Sequence, residues 1–112
     1  MKRKYLHIAM YRAMDCIYDE QEQPSEKLLQ FVSDANPYIW EDRTTSDPAI
    51  QADFDKSMDR QNIGVEVDEE TAYHAVKNFL AEQNNDFFEL FEDISIDEWK
   101  NLCDIVAEEE SE

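Results

Sequence analysis

The sequence predicts an all-α protein, a single small domain of about five to six short helices packed as an irregular bundle. Its 112 residues suffice for one hydrophobic core, and 42% of them are hydrophobic. The chain contains one glycine and three prolines, whereas β-rich domains normally need more glycines at their turns. Apolar residues also recur at steps of three and four, the spacing of one face of a helix.

Two helices are expected in the N-terminal third of the chain. The first runs from about Arg3 to Asp19 and carries apolar residues almost all round, so we expect it to lie centrally or to be partly buried against another chain. Its main stripe is Leu6, Met10, Ala13 and Ile17. The second starts near Pro24 and stops at Asn36-Pro37, with a stripe of Leu28, Phe31, Val32 and Ala35.

The third helix has clear boundary signals. Asp47 is a good N-cap with Pro48 at the first helical position. The helix is expected to reach about Asn62, and Gly64 is expected to supply the left-handed residue that closes it. The segment 65–67 is briefly extended. The apolar stripe of this helix is Ile50, Phe54 and Met58.

Three further helices are expected in the C-terminal half. Asp68 caps the fourth helix, and Asn84-Asn85 breaks it before a short helix over 86–93. The last helix is capped by Ser95 or Asp97. Residues 1–107 are then the domain, and 108–112 form a frayed acidic tail. The apolar stripes are Ala72, Tyr73, Val76, Phe79 and Leu80 in the fourth helix, and Trp99, Leu102, Cys103 and Val106 in the last.

Negative charge is concentrated in the second half of the chain. There are 28 acidic and 10 basic residues, a formal net charge of −18. Residues 1–60 carry −4 of it, and residues 61–112 carry −14. Such a domain is a poor candidate for direct binding to nucleic acid or to an anionic membrane, because phosphates would be repelled.

The sequence predicts a cytoplasmic location. No apolar run approaches the ~20 residues that span a bilayer. The basic start, residues 2–4, is not followed by the continuous apolar region of a signal peptide. The two cysteines, Cys16 and Cys103, make no disulfide framework and are expected to be reduced, buried thiols.

No metal site is expected. Four alternating polar residues have the spacing of part of a calcium loop, but that loop needs Gly at its sixth position and Glu at its twelfth. Met58 and Gly64 stand there instead, so the four belong to the polar face of the third helix. They are Asp53, Asp55, Ser57 and Asp59.

No catalytic residue and no cofactor are expected either. The two histidines, His7 and His74, lack the closely spaced Cys or His pairs of a zinc site and are expected to be helix residues beside aromatic neighbours. A single glycine is too few for a nucleophile elbow or a phosphate-binding loop. A small enzyme or metal-binding protein that uses these histidines or the cysteines is a disfavoured alternative.

The C-terminal half supplies a candidate interaction surface, on which carboxylates would stand in for the phosphates of a nucleic acid. A face that serves only solubility is the plainer explanation of the same charges. Large aromatic residues nearby belong either to the core or to a binding anchor. The acidic candidates are Glu82, Asp86, Glu89, Glu92, Asp93, Asp97 and Glu98, and the apolar anchors are Tyr38, Trp40 and Phe88.

We therefore expect a non-catalytic acidic helical protein that acts through contact with another protein and regulates it. A nucleic-acid mimic, or an immunity-type inhibitor of a basic protein, is the narrower alternative. A homo-oligomer is also open, because the first helix and residues 38–40 hold more apolar surface than a small monomer easily covers. The basic residues 2–4 would then dock on an acidic region of the same chain or of a neighbour.

Overall fold

The computed structural model describes residues 1–111, and in them six α-helices follow one short 3-10 turn. The only extended pairing within these residues is an isolated bridge between Lys2 and Glu66. The prediction of a small all-α bundle is confirmed. The elements are the 3-10 turn Arg3–Tyr5, α1 Leu6–Glu20, α2 Glu26–Ala35, α3 Pro48–Arg60, α4 Glu69–Gln83, α5 Asn85–Phe91 and α6 Ile96–Glu110.

Side-chain caps mark where every α-helix except α1 begins. Asp47 accepts a hydrogen bond from Ala49 N, and Asp68 accepts one from Thr71 N, so both predicted caps are confirmed. Of the two candidates for the last helix, Ser95 is the cap, and it forms a reciprocal capping box with Glu98. Ser25 caps α2 by accepting from Leu28 N, and Asn84 caps α5 by accepting from Asp86 N.

The turn after α3 corrects one prediction. The left-handed residue is Asn62, with φ of 59°, and Gly64 has no positive φ. Asparagine tolerates this conformation because its short polar side chain can hydrogen-bond locally. The turn comes earlier than predicted because α3 already ends at Arg60, and Ile63 then enters the core with 7% exposure.

Helix α1 lies at the centre of the bundle, where it contacts α2, α4, α5 and α6. Its buried side chains fill the space between these four helices. This explains why α1 is apolar on several sides without requiring a second chain to cover it. The buried residues of α1 are Leu6, His7, Ile8, Ala9, Met10, Ala13, Met14 and Ile17.

The two cysteines differ in their surroundings. Cys103 is buried as predicted, and burial raises the pKa of its thiol to about 12. Cys16 is exposed, so the prediction that it is buried is wrong. It lies on the solvent side of α1, among the carboxylates of Asp15, Asp19 and Glu20, while neighbouring Ile17 points into the core.

The end of α6 is more ordered than the expected tail. The helix continues through Glu110 because its last turn is held by two arginines. Arg12 Nη1 lies 2.8 Å from Glu109 Oε2, and Arg43 Nε lies 2.9 Å from Glu110 Oε1. Frayed structure over 108–110 is therefore not found, and the last residue of the predicted tail, position 112, lies outside the described residues.

The basic N-terminal segment docks on its own chain. Arg3 Nη2 lies 2.8 Å from Asp59 Oδ1 in α3, and its Nη1 donates to Ile63 O. The backbone of Arg3 also donates to Val65 O at 2.8 Å. These contacts seat residues 1–5 against α3 and the segment that follows it, where they form one wall of a groove.

Candidate functional site

The break at Asn84 separates Glu82 from the other acidic candidates. Glu82 ends up facing α3, where its Oε2 accepts from Arg60 Nη2 at 2.7 Å and its Oε1 accepts from Ser57 Oγ at 3.3 Å. One continuous helical face from Glu82 to Asp93 would have required helix through Asn84. The charge of Glu82 is thus offset locally.

The remaining six acidic candidates are all exposed, on α5, the turn after it and the first turn of α6. We refer to them as the acidic surface. Lys77 is the cation beside them, with its Nζ 4.0 Å from Glu92 Oε2. Glu98 also serves the cap of α6, since its Oε1 accepts from Ser95 N. The acidic surface consists of Asp86, Glu89, Glu92, Asp93, Asp97 and Glu98.

Phe88 is the one predicted apolar anchor that lies next to the acidic surface. Its side chain is only partly exposed, while the neighbouring rings of Phe87 and Phe91 are buried in the core. The Lys77 ammonium lies 4.9 Å from the centroid of the Phe88 ring. Phe88 is therefore partly covered by a cation of its own chain.

The other two predicted anchors belong to an exposed loop between α2 and α3. Tyr38 is 40% exposed, Ile39 58% and Trp40 50%. These three consecutive side chains, which we call the aromatic loop, are large apolar groups left largely uncovered by residues 1–111. Contiguous apolar exposure of this kind is typical of binding surfaces.

Hydrogen bonds hold the backbone of the aromatic loop in place. Tyr38 N donates to Asn36 Oδ1 at 2.9 Å, and Arg43 N donates to Trp40 O at 3.2 Å. The turn closes through Arg43, which has φ of 63°. The Tyr38 ring also packs edge-on against Tyr11, with centroids 5.9 Å apart.

Ion pairs at the end of α6 connect the aromatic loop to acidic residues. Arg12 Nη1 donates both to Tyr38 Oη at 3.4 Å and to Glu109 Oε2 at 2.8 Å. The Arg43 guanidinium, which pairs with Glu110, lies 5.3 Å from the centroid of the Tyr38 ring. Glu41, next to Trp40 in sequence, is exposed. The surroundings of the loop therefore carry carboxylates as well as aromatic surface.

The aromatic loop is linked to one end of α6, and the α6 residues of the acidic surface lie at the other end. Tyr38 is linked through Arg12 to Glu109 in the last turn, whereas Asp97 is in the first turn. At 1.5 Å per residue, these two positions of α6 are about 18 Å apart. Asp97 and Glu98, the acidic residues in the first turn of α6, are therefore separated from the end of the helix that is linked to Tyr38.

A groove of about 830 Å³ opens between the N-terminal segment, α3 and the loop after Trp40. His7 of α1 lines it and is 7% exposed. His7 Nε2 lies 2.6 Å from Arg43 O, and because a carbonyl only accepts, Nε2 carries the proton. Burial lowers the pKa of His7, which favours the neutral ring.

The histidines have the aromatic neighbours that were expected. His7 packs edge-on against Phe54, and His74 is exposed beside Tyr73. Among residues 1–111, no group of three or more His, Cys, Asp or Glu side chains is placed to hold a metal ion. Within the same residues, no helix is both long enough and apolar enough to cross a bilayer.

The buried, neutral His7 gives a testable pH dependence. The unfolded chain takes up the His7 proton at higher pH than the folded chain. The contribution of neutral His7 to the free energy of unfolding is therefore complete above the pKa of the unfolded chain, and it is lost as pH falls through the pKa of the folded chain. Between pH 7.5 and 5.5, wild type should therefore lose more unfolding free energy than His7→Gln, by at most about 1.4 kcal/mol per pH unit. Urea unfolding at both pH values measures this difference.

A histidine at the surface provides the control for that measurement. His74→Gln removes an exposed ring and should leave the pH dependence of wild type unchanged. All three proteins contain the same carboxyl groups, so the comparison attributes the difference to the histidine that was replaced. Equal pH dependence for His7→Gln and wild type would show that His7 is not held neutral.

Sequence reasoning missed the groove. Its lining comes from three separated segments, residues 2–7, 42–44 and 51–59, together with Val65. No local spacing connects these segments, so only the basic tip at residues 2–4 gave any signal of a special surface. No known family model, no curated protein and no solved structure matches the chain.

Proposed function

We propose that this protein is non-catalytic and acts by binding another protein that has a basic surface. The aromatic loop, Tyr38–Trp40, carries the proposal, because it exposes three large side chains on a backbone fixed by hydrogen bonds. Tryptophan and tyrosine are enriched among the residues that dominate binding energy in protein interfaces. A fixed loop also loses little conformational entropy on binding.

Charge supports a basic partner. Glu41 and Asp42 follow Trp40 directly and are exposed, and Glu109 at the end of α6 is half exposed. A partner that buries Trp40 would therefore meet carboxylates around it. Positive groups at the rim of the partner would pair with these carboxylates. The same carboxylates would repel competitors that have acidic surfaces.

The acidic surface on α5 and α6 has a separate role in this proposal. Its α6 member Asp97 lies about 18 Å along the helix from Glu109, which Arg12 links to the aromatic loop, and in this proposal the acidic surface contributes mainly through its long-range field. Fields of this kind raise the rate of association with an oppositely charged protein. We therefore assign affinity to the aromatic loop and steering to the acidic surface.

The same charges favour a different protein over a second copy of this chain. Each copy carries a formal charge of −18. Pairing two aromatic loops would bring the Glu41 and Asp42 carboxylates of both copies together. Like charges placed opposite one another oppose association.

A reducing compartment is part of the proposal. Cys16 is an exposed free thiol, and Cys103 is free and buried. Exposed free thiols persist where the compartment keeps them reduced. We therefore propose that the protein works in the cytoplasm.

Capture from a lysate of the cells that encode the protein tests the proposal. The full chain is immobilised, and capture is compared at about 50 mM and about 300 mM salt, since exposed charge pairs are screened beyond roughly 10 Å at 0.1 M. We expect a basic protein that is retained at low salt and weakly retained at high salt.

Binding to that protein is then measured with variants of this chain. Neutralising Asp86, Glu89 and Asp93 to Asn, Gln and Asn should lower its association rate about tenfold.

A matched variant controls for net charge. Neutralising Asp19, Glu20 and Glu22 to Asn, Gln and Gln removes three exposed charges at the other end of the sequence and should change the association rate far less. An acidic partner, or retention that does not depend on salt, would contradict the proposal. If the captured protein binds a nucleic acid and this chain competes with that nucleic acid for binding, then this chain acts as a nucleic-acid mimic.

A further inference from the structure

The groove beside the N-terminal segment differs electrostatically from the rest of the molecule. Four of the ten basic residues of the chain line it, and three aspartates line it as well. The lining therefore has a formal charge of +1, although the whole chain carries −18. The basic residues are Lys2, Arg3, Lys4 and Arg43.

The aspartates of the groove are engaged by protein groups. Asp59 pairs with Arg3 at 2.8 Å, and Asp55 Oδ1 accepts from the Gln51 amide at 3.3 Å. Asp42 Oδ1 accepts from Thr44 N, and these hydrogen bonds lower the pKa of its carboxyl. All three carboxylates are thus directed toward donors of the chain itself.

Two cationic side chains of the groove remain available to bind a ligand. Within residues 1–111, no carboxylate pairs with Lys2 or Lys4, and both are exposed. The Arg43 guanidinium is engaged by Glu110 through Nε and lies 5.3 Å from the centroid of the Tyr38 ring, so Arg43 contributes positive charge at the rim of the groove. His7 donates from Nε2 to Arg43 O, which holds the arginine backbone at the rim.

We propose that this groove binds a small anion that bears phosphate groups. Its volume of about 830 Å³ is in the range of small-molecule sites. Lys2 and Lys4 supply the charge-assisted donors that phosphate oxygens require, and Arg43 adds positive charge at the rim. A long nucleic acid would extend onto the acidic exterior and be repelled. A small anion instead stays within the groove, because charges farther away than about 10 Å are screened.

Isothermal titration calorimetry of the full chain with sodium pyrophosphate tests this proposal. Ionic strength is held constant with sodium chloride, so that a specific site is separated from general screening. We expect saturable binding with a Kd below about 1 mM. Lys2→Gln combined with Lys4→Gln should weaken it at least about tenfold, because two charge-assisted hydrogen bonds are lost.

A second pair of lysines is the matched control. Lys27 and Lys56 are exposed, do not line the groove and form no ion pair among residues 1–111. Changing both to Gln alters the net charge equally and should change the Kd less than about twofold.

Titrations with ATP and with adenosine show whether the phosphate belongs to a nucleotide. Tighter binding of ATP than of pyrophosphate would identify a nucleotide, and equal binding would identify the phosphate groups alone.

Two results would overturn the proposal. One is the lack of saturable heat with both pyrophosphate and ATP. The other is an equal loss of affinity in the Lys2/Lys4 and Lys27/Lys56 double variants, which would show that net charge alone causes the effect. Amide shifts in ¹⁵N-labelled protein provide an independent readout, and changes confined to residues 2–7 and 42–44 are expected. The substituted residues, Lys2 and Lys4, lie outside the aromatic loop, so failure of this test would leave the proposed protein binding untouched.

Discussion

Trp99→Ala is expected to lower the free energy of unfolding by about 4 kcal/mol, the usual cost of deleting a buried tryptophan. Trp99 is fully buried, packs against Tyr73 and Phe91, and donates from Nε1 to Glu69 O at 2.9 Å. It therefore joins α6 to both α4 and α5. Since domains of this size are stable by only about 5–15 kcal/mol, the loss is large. Urea and thermal unfolding followed by circular dichroism measure it, with a fall in Tm of roughly 15 °C.

The chain provides its own control for this substitution. Trp40 is the only other tryptophan and is half exposed, so Trp40→Ala makes the same chemical change without opening a cavity. Its cost should stay below about 1 kcal/mol. Trp99→Phe keeps an aromatic ring but removes the donor to Glu69 O, and its cost should fall between the two. Similar losses for Trp99→Ala and Trp40→Ala would contradict the packing described for α6.

Trp40→Ala is expected to weaken binding of the basic partner roughly thirtyfold, or about 2 kcal/mol, the threshold typical of a dominant interface residue. The reason is that Trp40 presents the largest side chain of the aromatic loop on a backbone that is already fixed. Most of the change should lie in the dissociation rate, because contacts formed after docking act on that step. Surface plasmon resonance with the captured protein separates the two rates.

Two further variants sharpen the interpretation. Trp40→Phe retains an aromatic group and should recover part of the affinity. Val65→Ala removes an exposed apolar side chain outside the aromatic loop, 81% exposed, and should leave the affinity unchanged. A Trp40→Ala protein that folds normally and binds with wild-type affinity would remove the aromatic loop from the interface.

The boundaries of the helices were predictable because their signals are local. Asp47 and Asp68 cap their helices by hydrogen bonds to residues only two or three positions away. Gly64 was a misleading signal because a local signal does not show where the helix before it actually ends. A glycine near a helix end commonly takes the left-handed position, but here α3 ends at Arg60, and Asn62 takes that position instead.

Contacts over long sequence separations were not predictable. Glu109 and Glu110 read as a frayed tail, because nothing near them in sequence carries positive charge. Their partners are Arg12 and Arg43, which are 97 and 67 positions away. The exposure of Cys16 likewise depended on which sides of α1 are covered by the other helices. The apolar residues next to Cys16 in the sequence could not show which sides these are.

The amino-acid sequence by itself determined that this chain forms a small helical bundle, where most of its helices begin, and that α1 must be covered on several sides. These properties follow from apolar spacing and capping within a few residues. Only the tertiary structure decided that Arg12 links the aromatic loop to the last turn of α6, about 18 Å along the helix from Asp97 in its first turn. It alone also created a groove with a net positive lining in a protein of charge −18. The physical reason is that charge and exposure at a surface depend on which distant segments pack together, whereas a helix depends on residues three and four positions apart.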